Sequence, residues 1–427
     1  MLRVNAPPPP TPLRATWGPL ALMASTPVLG IGAWATALHH GGSILDTLER
    51  PRLDDFPLPS LTAVLLIVGW VSFQYVLLRW LPGKEHLGPT TPAGEQPRYR
   101  LNGILAWVVT HGLVLGAWAA GLPVAHLYDH YGELLATLTP AAFIACAALY
   151  WRGLYAPSCK DVTRTGNVAF DFFQGIELHP RLGGVALKQL VNCRVSMMGW
   201  SVATVCFALK HLELTGSVGI AMWVSVGLQV AYLFKFFLWE GGYFGSLVIM
   251  HDRFGYYICW GVLAWVPAVY ALVALFLVEG DPGMTTVQGV AVGLIGVVSL
   301  AINYDADRQR VRFRQLGGVM TIWGKPAQAI KAPYTTFDGE RRQNLLLISG
   351  WWGLARHFHY VPEITLAIAW TLPAGFNFAL PWFYVLFLSI LLFDRAERDD
   401  LRCANKYSRA WDQYRALVKY KIIPGIW

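Results

Sequence analysis

Long apolar runs separated by short polar segments set the pattern of this chain. ALMASTPVLGIGAWATALHH and TTVQGVAVGLIGVVSLAI are long enough, as helices, to cross a hydrocarbon core of ~30 Å. Such runs predict about ten membrane helices, starting near Trp17, Leu61, Leu101, Leu134, Met197, Ser217, Tyr256, Thr286, Leu345 and Phe376. The expected fold class is all-α, a polytopic integral membrane protein. Gly289, Gly293 and Gly296 line one face of the eighth run, a small-residue stripe suited to close helix packing. Residues 1–16 are Pro-rich and lack a short apolar core followed by a small-residue cleavage site. They read as a disordered extension ahead of a single membrane domain over 17–427.

Composition strengthens this picture. A chain of 427 residues with 55% hydrophobic and 14% charged content and a mean hydropathy of +0.41 is not an ordinary soluble protein. Its 19 Trp and 18 Tyr suit aromatic belts at two membrane interfaces. The net charge of +8 does not point to nucleic acid, because the basic residues sit in loops between apolar runs. Two segments are strongly basic, 304–343 and the tail from Arg395 to Lys421. The ninth and tenth runs separate them, which puts both on one side, the cytoplasmic side by the positive-inside rule. The six cysteines are scattered, with no CxxC and no metal-ligand spacing, so they read as reduced and packed, with no metal.

Candidate chemistry concentrates in two places. In LLLISGWWGLARHFHYVPEI, Arg356, His357 and His359 interrupt an apolar stretch, and ionisable groups at membrane depth mark functional sites. Arg310 and Arg314 share a helical face at i and i+4, where they grip a phosphate or merely anchor topology; spacing alone leaves both open. Tyr407, Trp411 and Tyr414 form a helical stripe that favours packing over a stacking wall. Gly30-x-Gly32-x-x-Ala35 copies a dinucleotide fingerprint by letter, but lies in an apolar run with no strand before it. In FFLWEGGYFGSLVIMHDRFG, Glu240 stands alone among apolar residues, an environment that favours a neutral, proton-donating carboxyl. Tyr243, at i+3, is placed to orient it or relay its proton, and Asp252 is a further candidate. Asp171, Glu177 and Arg181 make 163–183 a polar loop expected to cap a cavity between spans.

GNVAFDFFQGIELHPRLG, NCRVSMMGW, HDRFGYYICWGVLAWVP, NYDADRQRVRFR, IWGKP, SGWWGLARHFHYVPEI and RDDLRCANKYSRAWDQY resemble the membrane sterol reductases. The likeness runs from about residue 85 to the C-terminus. TPAGEQPRYRLNG, NYDADRQR, RHFHYVPEI and DRAERDD are more similar to the branch that reduces the C7 double bond, in its plant-type form, than to the C14 branch. Tyr243 and His359 point the same way. The resemblance implies NADPH-dependent reduction of a sterol C7–C8 double bond, with the cofactor held at about 304–427. Its cofactor positions fall on Arg310, Arg314, Leu347, Trp352, His359, Tyr360, Asp399, Cys403, Tyr407 and Tyr414. The implied catalytic set is Glu240, Tyr243 and Asp252. Implied partners are a sterol, membrane lipid and other sterol-pathway enzymes, in the endoplasmic reticulum of a eukaryote or the inner membrane of a bacterium. Three positions depart from the family pattern: Arg310 replaces a common Lys, Val248 a common Asp, and VSM (195–197) a Pro-Gly pair, which alters the local helix start. A Δ14-sterol reductase remains an alternative. An S-adenosylmethionine-dependent lipid methyltransferase shares R-H-x-x-Y but lacks the 163–183 and 236–255 motifs. A non-catalytic sterol-binding scaffold has no need of intact cofactor positions.

Overall fold

A computed structural model describes residues 11–280, 282–335 and 339–427. Among these residues, seven helices are long and apolar enough to cross a membrane: Leu13–His39, Leu61–Trp80, Tyr131–Tyr155, Gln189–Thr215, Ile220–Leu238, Tyr256–Phe276 and Thr286–Gln315. Gly103–Ala119 is an eighth apolar helix of 17 residues, at the short limit for a span. Most of the expected extension at 1–16 lies outside the described residues, but Leu13–Trp17 is already helical and runs into Gly18–His39.

The polytopic helical reading holds, and the expected count fails in the last third. The run beginning at Leu345 is not a membrane helix. Arg341–Leu347 is a strand, paired antiparallel with Ala329–Thr335 in the register Ala329↔Leu347 to Thr335↔Arg341. The reason is a period of two: Leu346 and Leu347 are both buried, but in different clusters on opposite faces of the strand. Helix resumes only as the turn Trp351–Leu354 and the 12-residue Tyr360–Thr371. The run near Phe376 begins its helix at Phe383, and Phe383–Tyr407 turns charged from Asp394 onward.

Contacts divide the chain into two compact units. The larger comprises the described residues up to Gly289 together with Pro373–Phe383. Within it Gln189–Thr215 and Tyr256–Phe276 are central, each 72% buried over its most apolar stretch, against 22% for the peripheral Leu61–Trp80. Side chains at helix starts satisfy exposed N–H groups: Ser60 Oγ accepts from the N–H of Ala63 and Ser43 Oγ from that of Asp46. Close packing needs glycine at Gly289, where a Cβ would lie 2.3 Å from Ile220 Cγ2, whereas a Cβ at Gly293 would meet nothing within 4 Å. Gly30 and Gly32 lie in the middle of Gly18–His39, which disposes of the dinucleotide fingerprint.

The departure at 195–197 coincides with an unusual helix. Gln189–Met197 is π-helical, and regular α-helix begins at Met198. At the far end of the same unit both ring nitrogens of His40 face carboxylates, Nδ1 at 2.8 Å from Asp46 and Nε2 at 2.9 Å from Asp55. Those two hydrogen bonds raise its pKa and favour the imidazolium.

The smaller unit comprises Val290–Leu372 and Tyr384–Trp427. Ser408 takes a positive φ of 47°, which ends Phe383–Tyr407 and starts Arg409–Leu417 in a new direction. That short helix packs on the strand Ala329–Thr335, burying Tyr407, Ala410, Trp411, Tyr414 and Val418 against Ala332 and Leu346. The two basic segments therefore meet through direct contact, with no need of the span-counting argument.

Candidate active site

All ten positions expected to hold a cofactor fall in the smaller unit, and contacts join nearly all of them. The helix ending at Gln315 buries Phe313 with Ile322, Leu347 and Trp352. Its register therefore turns Arg310 toward the same cluster, with the guanidinium 4.2 Å from the centroid of Trp352. Trp352 is fixed by a 2.8 Å hydrogen bond from Nε1 to the carbonyl of Ala306, and its own carbonyl accepts from Tyr414 Oη at 3.4 Å. Its ring centroid lies 4.9 Å from that of His359, which lies 4.2 Å from that of Tyr360. Tyr360 stacks on His357, whose Nε2 is 3.8 Å from Asp399. Asp399 also accepts from Arg402, and Cys403 Sγ lies 3.9 Å from it. Tyr407 Oη accepts from Asn344 at 2.8 Å.

Cations gather here. Arg314 is exposed, within electrostatic range of Arg310, Arg402, Cys403 and Tyr407. Lys406 lies 4.1 Å from the Tyr334 ring and 5.2 Å from that of Tyr407. Among the described residues, Asp307 pairs with Arg310 and Asp399 with Arg402, while Glu363 and Asp400 lie within electrostatic range of Tyr360 and Cys403. Such a gathering beside aromatic rings suits an anionic, ring-bearing ligand. Burial pushes the Cys403 thiol up to about 12, so it packs as a small apolar group. Burial likewise pulls His357 down to about 4, with Asp399 opposing, and its Nε2 makes no hydrogen bond among the described residues.

Arg356, singled out in sequence as a charge at membrane depth, has a structural task. Its Nη1 donates to the carbonyls of Val418 (2.8 Å) and Lys419 (3.0 Å), and its Nε lies 3.3 Å from Asp400. Asp400 also accepts from Trp411 and Arg415. Arg356 thus clasps the C-terminal segment to the unit.

The three expected catalytic residues lie in the larger unit, and one finding changes how they are understood. Glu240 is not a lone carboxyl: Arg194 Nη1 lies 2.5 Å from Oε1, Gln189 Nε2 donates to Oε1 at 3.3 Å, and the N–H of Gly103 donates to Oε2 at 3.0 Å. Every one of these neighbours is a donor, the arrangement a carboxylate requires. The sequence signal misleads because Gly103 lies 137 positions away along the chain, and Arg194 and Gln189 come from a different helix. Tyr243 Oη accepts from Asn192 Nδ2. Asp252 joins through its carbonyl, which with those of Val248 (3.2 Å) and Ile249 (2.8 Å) surrounds the buried Lys188 ammonium. Burial pulls Lys188 down to about 7, with Asp252 opposing.

The family model for the ergosterol biosynthesis ERG4/ERG24 family matches residues 43–427, most of the chain. The chain belongs to this family. A 7-dehydrocholesterol reductase of Arabidopsis thaliana is 44% identical over 417 residues, covering 96% of each chain. A Delta(14)-sterol reductase of Methylotuvimicrobium alcaliphilum is 33% identical over 413 residues, 96% of this chain and 94% of its own. A 7-dehydrocholesterol reductase of Xenopus laevis is 34% identical over 400 residues, 88% of this chain and 84% of its own.

This ERG4/ERG24 member carries site residues that sequence reasoning passed over. Lys188, Gln189, Asn192 and Arg194 all project inward from the start of one helix, each no more than 2% exposed. The available signal was four polar residues in KQLVNCR, at the head of a segment otherwise apolar enough to span. Asp171, Glu177 and Arg181 are fixed by hydrogen bonds within and beside their loop. Asp171 accepts from Thr165, Glu177 from Ser158, and Arg181 donates to the Arg98 carbonyl.

Proposed function

We propose that this protein reduces the C7–C8 double bond of a sterol with NADPH. It is a multi-pass membrane oxidoreductase of the sterol reductase family, acting on a CH–CH group by means of a nicotinamide cofactor. The observation that carries the finer reading is the gathering of Arg310, Arg314, Trp352, His359, Tyr360, Asp399, Cys403, Tyr407 and Tyr414 in one unit with Arg402 and Lys406. Arg310, Arg314, Arg402 and Lys406 fit a ligand with several phosphate charges, and NADPH has one phosphate more than NADH. The C7 branch is favoured over C14 by the 44% likeness to a relative named for the C7 reaction, against 33% for one named for C14.

A reduced nicotinamide bound there supplies a hydride. A carbon–carbon double bond with no carbonyl beside it does not accept hydride directly, so a proton must add first. Addition at C7, the less substituted carbon, leaves a tertiary cation at C8 for the hydride to meet. Glu240 is the acid expected from sequence, but its ring of donors holds it as an acceptor. We assign the proton to Tyr243 instead: Asn192 donates to its oxygen, stabilising the phenolate left behind. Asp252 is assigned to the frame of that segment through the Lys188 contacts. Arg98, Arg100, Lys160, Arg164, Arg181 and Arg253 crowd the loops at this end of the larger unit, which we take as the cytoplasmic face. The membrane is that of the endoplasmic reticulum in a eukaryote and the inner membrane in a bacterium.

The test is direct. Purified protein incubated with NADPH removes the conjugated-diene absorbance of 7-dehydrocholesterol and leaves Δ14-sterols largely unreacted. Efficient Δ14 reduction with no action on 7-dehydrocholesterol moves the chain to the other branch, and equal rates with NADH remove the role given to the extra phosphate.

A further inference from the structure

Four consecutive carbonyls, those of Val418, Lys419, Tyr420 and Lys421, receive N–H groups from two adjacent residues of the smaller unit. Arg356 Nη1 donates to Val418 and Lys419, the Arg356 N–H to Tyr420 at 3.0 Å, and the His357 N–H to Lys421 at 2.7 Å. These carbonyls follow the end of the helix Arg409–Leu417, where no further helical turn pairs them. The chain then doubles back on itself. The N–H groups of Lys421, Ile422 and Ile423 donate to the backbone oxygen of Trp427 at 2.9, 3.1 and 3.1 Å, with Gly425 turning the chain at a φ of 85°. The Trp427 ring stacks on Phe393, their centroids 4.8 Å apart. Lys421 Nζ lies 4.5 Å from the centroid of the Trp427 ring and pairs with Glu397.

This segment therefore holds two partners at once. One is the strip Arg356–Tyr360, which carries His359 and Tyr360. The other is the helix Phe383–Tyr407, gripped at Phe393 and Glu397, an i, i+4 pair on one face. Asp399, Cys403 and Tyr407 follow on that helix at the same four-residue spacing. Positions proposed for the cofactor thus lie on both flanks of the segment, and none lies within it. Between the flanks, His357 Nε2 and Asp399 are 3.8 Å apart, beyond hydrogen-bond reach. Their spacing is set by Arg356 with its partner Asp400 and by the segment outside them. We propose that Val418–Trp427 is a clamp that sets cofactor affinity, with Trp427 and Lys421 as positioning residues. It holds the strip and the helix at the separation that one dinucleotide spans. This inference rests on the cofactor reading given above.

Trp427→Ala removes both the stack on Phe393 and the ring beside Lys421. The KM for NADPH should rise about tenfold. Turnover at saturating NADPH and the KM for sterol should stay within about twofold of the parent. Trp427→Phe keeps a ring on Phe393 and should return the KM for NADPH to within about threefold of the parent. Lys421→Met keeps the stem but loses the charge, and should raise the same constant about threefold. It decides the matter alone if Trp427→Ala does not accumulate. A tail that serves stability only would lower the active fraction, so apparent kcat would fall while the KM for NADPH stood still. That result overturns the proposal, as does an unchanged enzyme or an equal rise in both KM values. Direct titration of NADPH, followed by its nicotinamide fluorescence, separates the two levels of inference. A parent that binds no NADPH removes the cofactor reading and the clamp with it. A parent and a Trp427→Ala variant that bind it equally well remove the clamp alone.

Discussion

The two polar clusters of this molecule differ in how their charges are matched. In the larger unit, Glu240 and Arg194 face each other, 2% and 0% exposed, Arg194 Nη2 ends on the side-chain oxygen of Asn102, and the Lys188 ammonium ends on backbone carbonyls. In the smaller unit, Asp307 pairs with Arg310 and Asp399 with Arg402, whereas Arg314 is exposed and Lys406 lies over aromatic rings. A cluster closed on itself has no charge to offer a ligand; it holds geometry. A cluster with surplus cations beside aromatic rings is built to receive an anion. Burial thus separates the two regions, one shut away from water and the other partly open to it.

Removing Arg194 should produce the largest effect. Arg194→Met leaves the Glu240 carboxylate buried without its counter-charge, at a cost of about 3–5 kcal/mol. The expected result is a steep fall in yield and thermal midpoint of the detergent-solubilised protein. A variant as stable as the parent would show that the cluster is not closed.

His357 tests whether the open cluster has a closed floor. Its pKa is about 4 in the folded protein against 6.5 when unfolded. Between those values only the unfolded chain binds the proton, so stability is complete above pH 6.5 and declines as pH falls toward 4. The full loss is roughly 3 kcal/mol by linkage. Thermal midpoints measured from about pH 7 to 5 should fall in the parent and fall less in His357→Gln; identical slopes would place His357 in contact with water.

Arg314→Ala should leave the thermal midpoint nearly unchanged, since an exposed charge contributes under ~1 kcal/mol, and Arg310→Ala should lower it slightly by removing the cation over Trp352. Each lost contact to a phosphate should weaken the cofactor by ~1.5–3 kcal/mol, about tenfold to a hundredfold in KM for NADPH. An unchanged KM with lowered stability would invert the comparison. The smallest effect belongs to Lys406→Met, which removes a cation from the faces of Tyr334 and Tyr407. The expected loss is about 0.5–1 kcal/mol in stability, read as a shift of a few degrees in the same melting assay.

Much of this was legible beforehand, though unevenly. Apolar runs such as Leu61–Trp80 and Tyr131–Tyr155 announce themselves, because a membrane demands continuous length and helices satisfy their own backbone groups. The run at 345–354 misleads for the converse reason. Leu345, Leu346 and Leu347 are as apolar as any helix, and only the distant partner Ala329–Thr335 makes them a strand with two buried faces. Tyr407, Trp411 and Tyr414 pack as their helical stripe suggests, yet the same packing positions Tyr414 against Trp352. Glu240 is misjudged from sequence because its neighbours along the chain are apolar, whereas its partners come from Gly103, Gln189 and Arg194.

By itself, then, the sequence determined the membrane-spanning helical class and the family resemblance, properties carried by local composition or short ordered motifs. Only the tertiary structure decided which charges are matched and which remain to bind. Whether a carboxylate is alone depends on side chains brought into hydrogen-bond contact from distant parts of the chain. No local pattern encodes that proximity.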